Sequence, residues 1–205
     1  MSKTLFETHA ATEAALGLVA STLTWRGPFA PDTDPLWCAM QRGELSERDY
    51  WQARSREVGG LLGEDWKDMQ TFVRRARGAE PSLVIRPEAE RAIRIAKAHG
   101  RKLAILSNEL DLFYGEDFRR KLPLLAHFDV IVDATHTGIL KPDPQAYMAV
   151  CNGLNLDPAD CVFVDDQPRN IDGAIACGLK TVWFDVQQPL ESYRQALRLV
   201  GLALD

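Results

Sequence analysis

Cys161-Val162-Phe163-Val164-Asp165-Asp166-Gln167-Pro168-Arg169-Asn170 opens with a short apolar run and closes that run on two adjacent carboxylates. A run this short and this apolar reads as a strand buried on both faces, as in a parallel sheet covered by helices. Two acids side by side at the end of such a strand repel each other and resist loss of water. A cation or protons must offset them. An N-capping acidic pair is the plainer reading, but one carboxylate is sufficient for a cap.

The same alternation runs outward from this stretch. Upstream, helices are expected over 87–99 and 114–122, with strands over 102–106 and 128–132. Lys141-Pro142-Asp143-Pro144 leads into a helix over 143–153. Downstream, a helix over 170–177 stops at Gly178, a strand follows over 181–184, and a last helix covers 192–200. Strands separated by helices predict an α/β fold with a parallel sheet. The first 79 residues differ, being helical in pattern almost throughout. Helices are expected over 6–18, over 35–42 with Asp34 as N-cap, from a capping box at Ser46-Glu47-Arg48-Asp49 to Gly59-Gly60, and over 65–77, stopped by Gly78 and Pro81.

Composition narrows the function. The net charge is -5, so a general affinity for nucleic acid is not expected. Arg74-Arg75-Ala76-Arg77, the densest basic stretch, reads as a solvated helix C-terminus. The four cysteines form no CxxC pair, so neither a disulfide framework nor a zinc site is suggested, and Cys161 and Cys177 read as small core residues. No segment has the length or apolarity of a membrane span or a signal peptide, and the expected compartment is the cytoplasm.

Three polar clusters fall at strand ends, where open parallel sheets collect ligands. Ser107-Asn108 supplies a hydroxyl and an amide that can donate to phosphate oxygens, or can simply make a turn. Lys141, stiffened by the prolines behind it, can neutralise a phosphoryl group and a carboxylate. Asp165 and Asp166 suit Mg2+, which takes a few carboxylates and keeps several waters. Asn170 can support them from the next helix.

In this order the clusters resemble the haloacid dehalogenase-like (HAD) hydrolases, whose core is a Rossmann-like parallel sheet. Ser107 matches the second motif, Lys141 the third, and Asp165 with Asp166 the fourth. The resemblance implies a phosphatase that uses magnesium and acts on a small phosphorylated metabolite. Ser107 and Lys141 would be catalytic, Ser107, Asn108 and Lys141 would hold phosphate, Asp165 and Asp166 would hold the metal, and Asn170 would support it. It also implies a helical cap over 8–80 between a residual core segment, 1–7, and the core, 81–205. Trp25-Arg26-Gly27-Pro28-Phe29 then becomes either a substrate contact or a packed cap loop.

One part of the pattern is missing. The first motif, a strand ending in Asp-x-Asp that carries the nucleophile, is not found before the first helix. Asp32-Thr33-Asp34 has the spacing but follows Pro28-Phe29-Ala30-Pro31, not an apolar strand. Without the nucleophile, little or no turnover is expected. Without a central strand, either residues 1–7 replace it, or its neighbours close up, or another chain supplies one in a homodimer. A 2-haloacid dehalogenase, which needs no metal, and a non-catalytic binding protein on the same fold are the alternatives.

Overall fold

The computed structural model describes residues 1–77, 84–108, 110 and 122–204. They form two compact units, Lys3–Val84 and, separately, Met1–Ser2 with Ile85–Asp205.

The first unit is helical. A 3-10 turn, Phe6–Thr8, leads into α1 (His9–Leu16), followed by α2 (Pro35–Gln41), α3 (Glu47–Leu61) and α4 (Met69–Arg77). The caps expected from sequence form. The Asp34 carboxylate accepts from Trp37 N–H, and the Ser46 hydroxyl accepts from Asp49 N–H. Helix α3 continues through Gly59 and Gly60 instead of fraying there. A Cβ on Gly59 would lie 2.8 Å from Trp66, so this glycine lets Trp66 pack against the helix. Helix α4 starts at Met69, not at residue 65, where the Asp68 carboxylate accepts from Thr71 N–H at 2.7 Å. The proposed stop at Gly78 and Pro81 lies outside the described residues.

Aromatic rings fill this unit. Phe6 meets Trp25 and Trp37 edge-on, at 5.7 and 5.3 Å between centroids. Gly27 has φ +49°, and a Cβ there would lie 2.4 Å from the Phe6 ring. The stretch Trp25-Arg26-Gly27-Pro28-Phe29 is therefore anchored in the packing by Trp25 and Gly27, both buried. Asp34 is fully buried, accepts from Tyr50 Oη at 2.6 Å and pairs with Arg54. Arg54 in turn lies over Trp25 and Tyr50. A charge this deep persists only when paired, and Asp34 ties the start of α2 to Tyr50 and Arg54 of α3.

The second unit is α/β. Helix α5 (Pro87–Ala98) precedes β1 (Ala104–Ser107). Strand β2 (Val130–Asp133) runs into a short helix, α6 (Ala134–Thr137), which the sequence reading missed. Then come α7 (Pro144–Leu154), β3 (Val162–Asp165), α8 (Pro168–Ala176), β4 (Lys180–Trp183) and α9 (Pro189–Leu199). The helix expected over 114–122 lies outside the described residues apart from Leu122. Strands β1 and β2 pair in parallel, with Ser107 opposite Asp133; β3 and β4 do the same, with Asp165 opposite Trp183.

The four strands make two separate two-stranded sheets. Among the described residues, neither β1 nor β3 has a strand on its second edge. Met1 and Ser2 do not supply one, since Ser2 makes only an isolated antiparallel bridge to Ile85. Val162, Phe163 and Val164, expected to be buried on both faces, are half-buried. Their side chains suit a central strand, but β3 pairs on one side alone. Helix α5 serves two apolar clusters. Ile93 packs with Leu110, Leu122, Leu124 and Leu125. Ala92 and Ala96 pack with Leu197 of α9 and Leu204. Among the described residues, no helix is long and apolar enough to cross a membrane.

Candidate functional site

The Lys141 loop and the end of β3 meet. Lys141 Nζ lies 2.6 Å from Asp165 Oδ2, and the two side chains are 10% and 8% exposed. Asp165 Oδ1 accepts from Gln167 N–H and from Asn170 Nδ2, both at 2.9 Å. The carboxylate is thus held from three directions, by an ammonium, a backbone amide at the start of α8 and a side-chain amide one turn further on. Charge-assisted bonds of this kind are the strong ones.

The end of β1 joins the same group. Asn108 Oδ1 accepts from Lys141 N–H at 2.7 Å, and Asn108 Nδ2 donates to the Lys141 carbonyl at 3.3 Å. Asn108 therefore clamps the lysine backbone. Ser107, one residue earlier, ends β1. The Lys141–Pro142 peptide is cis.

Asp166 behaves differently from its neighbour. The residue keeps exposed surface, yet its carboxyl is closely surrounded by protein. Loss of solvent, then the charge of Asp165, push its pKa above the usual carboxylate range. Such a group favours a proton or a cation beside it. Asn170 is 4% exposed and its Oδ1 has no hydrogen-bond partner. An orphaned buried oxygen on the side chain that also binds the Asp165 carboxylate fits a hard, oxygen-seeking cation that retains waters. Among the described residues, no three acidic, histidine or cysteine side chains gather as a ready-made metal cage. Mg2+ at this place would draw on Asp165, Asp166, Asn170 and water.

Two positioning residues escaped the sequence reading. Gly173, in α8, would meet Pro142 Cβ at 2.8 Å and Tyr147 Oη at 2.9 Å if it carried a Cβ. Its bare Cα lets α8 approach the loop that carries Lys141. A glycine inside a helical stretch was the available signal. Asp133, at the end of β2, is 3% exposed and accepts from Thr135 N–H and Leu110 N–H. It caps α6 opposite Ser107. Cys177, read as core, is only half-buried, because it ends α8.

Comparison with known proteins identifies the family. The profile of the haloacid dehalogenase-like hydrolases matches residues 28–178. "Phosphatase MT3486" of Mycobacterium tuberculosis is 29% identical over 120 residues, 58% of this chain and 55% of that protein. "Acyl-CoA dehydrogenase family member 10" of Mus musculus is 34% identical over 119 residues, 58% of this chain and 11% of that protein. "Flavin mononucleotide hydrolase 1" of Arabidopsis thaliana is 37% identical over 65 residues, 32% of this chain and 26% of that protein. The chain thus spans about half or less of these relatives. Among solved structures, the HAD hydrolase YfnB of Bacillus subtilis, described bound to magnesium, matches with a TM-score of 0.61 at 19% identity, covering 86% of this chain and 80% of that one. L-2-haloacid dehalogenase of Xanthobacter autotrophicus matches with a TM-score of 0.56 at 21% identity, covering 93% and 77%. With residues 28–178, most of its length, matched by the profile, this chain belongs to the haloacid dehalogenase-like hydrolase family.

Proposed function

We propose that this chain is the phosphate- and magnesium-holding part of a phosphomonoester hydrolase that acts on a small phosphorylated metabolite in the cytoplasm. The observation that carries the reading is the Lys141–Asp165 pair at 2.6 Å, with Asn108 fixing the lysine backbone and Asn170 fixing the acid. In this reading the Lys141 ammonium faces the equatorial oxygens of a bound phosphoryl group. The Ser107 hydroxyl and the second N–H of Asn108 donate to the same oxygens. Asp165 and Asp166, with Asn170 behind them, hold Mg2+, which when bound supplies positive charge to the transferring group. One relative described as a phosphatase and another as a flavin mononucleotide hydrolase support the assignment of reaction class.

No residue between Met1 and Asp205 is assigned as the attacking carboxylate. The chain as written is therefore expected to hold phosphate without hydrolysing it appreciably. Among the described residues no strand pairs with the second edge of β1 or of β3, and a homodimer in which the partner covers those edges is the assembly proposed.

Calorimetric titration of the chain with Mg2+, and with inorganic phosphate in the presence of Mg2+, tests the site. Binding of both is expected, with Mg2+ binding lost in Asp166→Asn and phosphate binding lost in Lys141→Met. Mg2+ affinity unchanged by Asp166→Asn would refute the metal assignment. Halide release from 2-haloacids without metal would refute the phosphatase reading. Light scattering showing a monomer at micromolar concentration would refute the dimer.

A further inference from the structure

Cys151 and Cys161 face each other across a helix–strand contact on the side of the sheet covered by α7. Tyr147 lies one helical turn before Cys151 and packs edge-on against Phe163, with ring centroids 5.3 Å apart. Phe163 lies two residues after Cys161, on the same face of the strand. A helix brings every fourth residue to one face and a strand every second. The contact that sets Tyr147 against Phe163 therefore also sets Cys151 against Cys161. Their sulfurs are 3.8 Å apart, and the residues are 1% and 9% exposed. The backbone is tied at both: the Cys151 carbonyl accepts from Leu156 N–H, Cys161 N–H donates to Pro158, and the Cys161 carbonyl accepts from Lys180 N–H.

We propose that Cys151 and Cys161 are a cross-linking site, oxidised to an intramolecular disulfide by a peroxide. Closure brings the sulfurs from 3.8 Å to about 2.05 Å. Cys161, the less deeply buried of the two residues, attacks one peroxide oxygen and becomes a sulfenic acid, releasing water. The Cys151 sulfur then displaces the hydroxyl, its own proton leaving with that hydroxyl as a second water. Two S–H bonds are lost, one S–S bond forms, and one hydrogen peroxide becomes two waters. Burial, then the neighbouring Cys161 sulfur, push the Cys151 thiol up to about 12. A thiol held protonated is a poor nucleophile towards peroxide, which leaves the first step to Cys161 and the second to Cys151. The cross-link would join α7 to β3 at the end opposite the Lys141–Asp165 pair, and so tie the two elements at both ends without entering the phosphate site.

The test is oxidation of the folded full chain with hydrogen peroxide, followed by denaturation, alkylation of free thiols and peptide mapping by mass spectrometry. The expected product carries two alkyl groups instead of four and yields a linked Cys151–Cys161 peptide that dithiothreitol releases. The link persists in Cys38→Ser and Cys177→Ser and is absent from Cys161→Ser. The wild-type map carries the test if Cys161→Ser does not fold. Full alkylation of both residues under conditions that oxidise Cys38, a link to Cys177, or Cys161 found as sulfinic acid beside a free Cys151 would each overturn the proposal.

Discussion

Replacing Lys141 by Met keeps the aliphatic stem near Phe163 and removes only the charge. Asp165 is then left nearly buried with two of its three donors, Gln167 N–H and Asn170 Nδ2, and with Asp166 beside it. Breaking a buried pair by deleting one partner costs about 3–5 kcal/mol. The two surviving hydrogen bonds place this case at the lower end, about 3 kcal/mol, or roughly a hundredfold in the folding equilibrium. Against a total stability of about 5–15 kcal/mol for a domain, the loss is large but leaves a folded protein. Hydrogen exchange at the β3 and β4 amides reports the α/β unit alone, and their protection should fall by roughly that hundredfold. Asp165→Asn in the same background should recover most of it, because no uncompensated charge remains. Protection within about threefold of wild type in Lys141→Met, or a double variant in which the two losses simply add, would refute the claim that Lys141 is the counter-charge of Asp165.

Two further outcomes follow from the packing. Gly173→Ala forces Pro142 and Tyr147 apart from α8 and should cost about 1–3 kcal/mol, read by urea denaturation; a stabilised variant would show that α8 does not press on the loop. His9, whose pKa is lowered from 6.5 to about 4 by burial and then by Arg26, is neutral in the folded helical unit but titrates normally when unfolded. Its contribution is complete above pH 6.5 and is lost as pH falls towards 4. Trp25, Trp37, Trp51 and Trp66 belong to this unit, so a tryptophan fluorescence melt should show a midpoint that drops across that window in wild type and is flatter in His9→Leu.

Local patterns carried most of the chain. Asp34 and Ser46 announce their helices because a side-chain oxygen three residues ahead of an orphan N–H is a local device. Strand positions in the α/β unit were legible within two residues, since a short apolar run between helical stretches has few other uses. Helix ends were less so where the decision was tertiary. Gly59-Gly60 looks like a stop, but Trp66 packs against Gly59 and the helix runs on. The short helix after Asp133 was missed because its four residues have no period to detect.

By itself the sequence determined which residues could meet a phosphate. A serine and two acids close apolar strand-like runs and a lysine precedes a helix, the places where an open parallel sheet is expected to collect ligands. Only the tertiary structure decided how those groups divide the work. It places Asn108 on the lysine backbone, pairs Lys141 with Asp165, and leaves the Asn170 side-chain oxygen without a hydrogen-bond partner. Among the described residues it also leaves β1 and β3 each with an edge that no strand pairs, and it sets Cys151 against Cys161. Hydrogen-bond partners many residues apart leave no local trace, because the pairing is selected by packing between elements and not by neighbours along the chain.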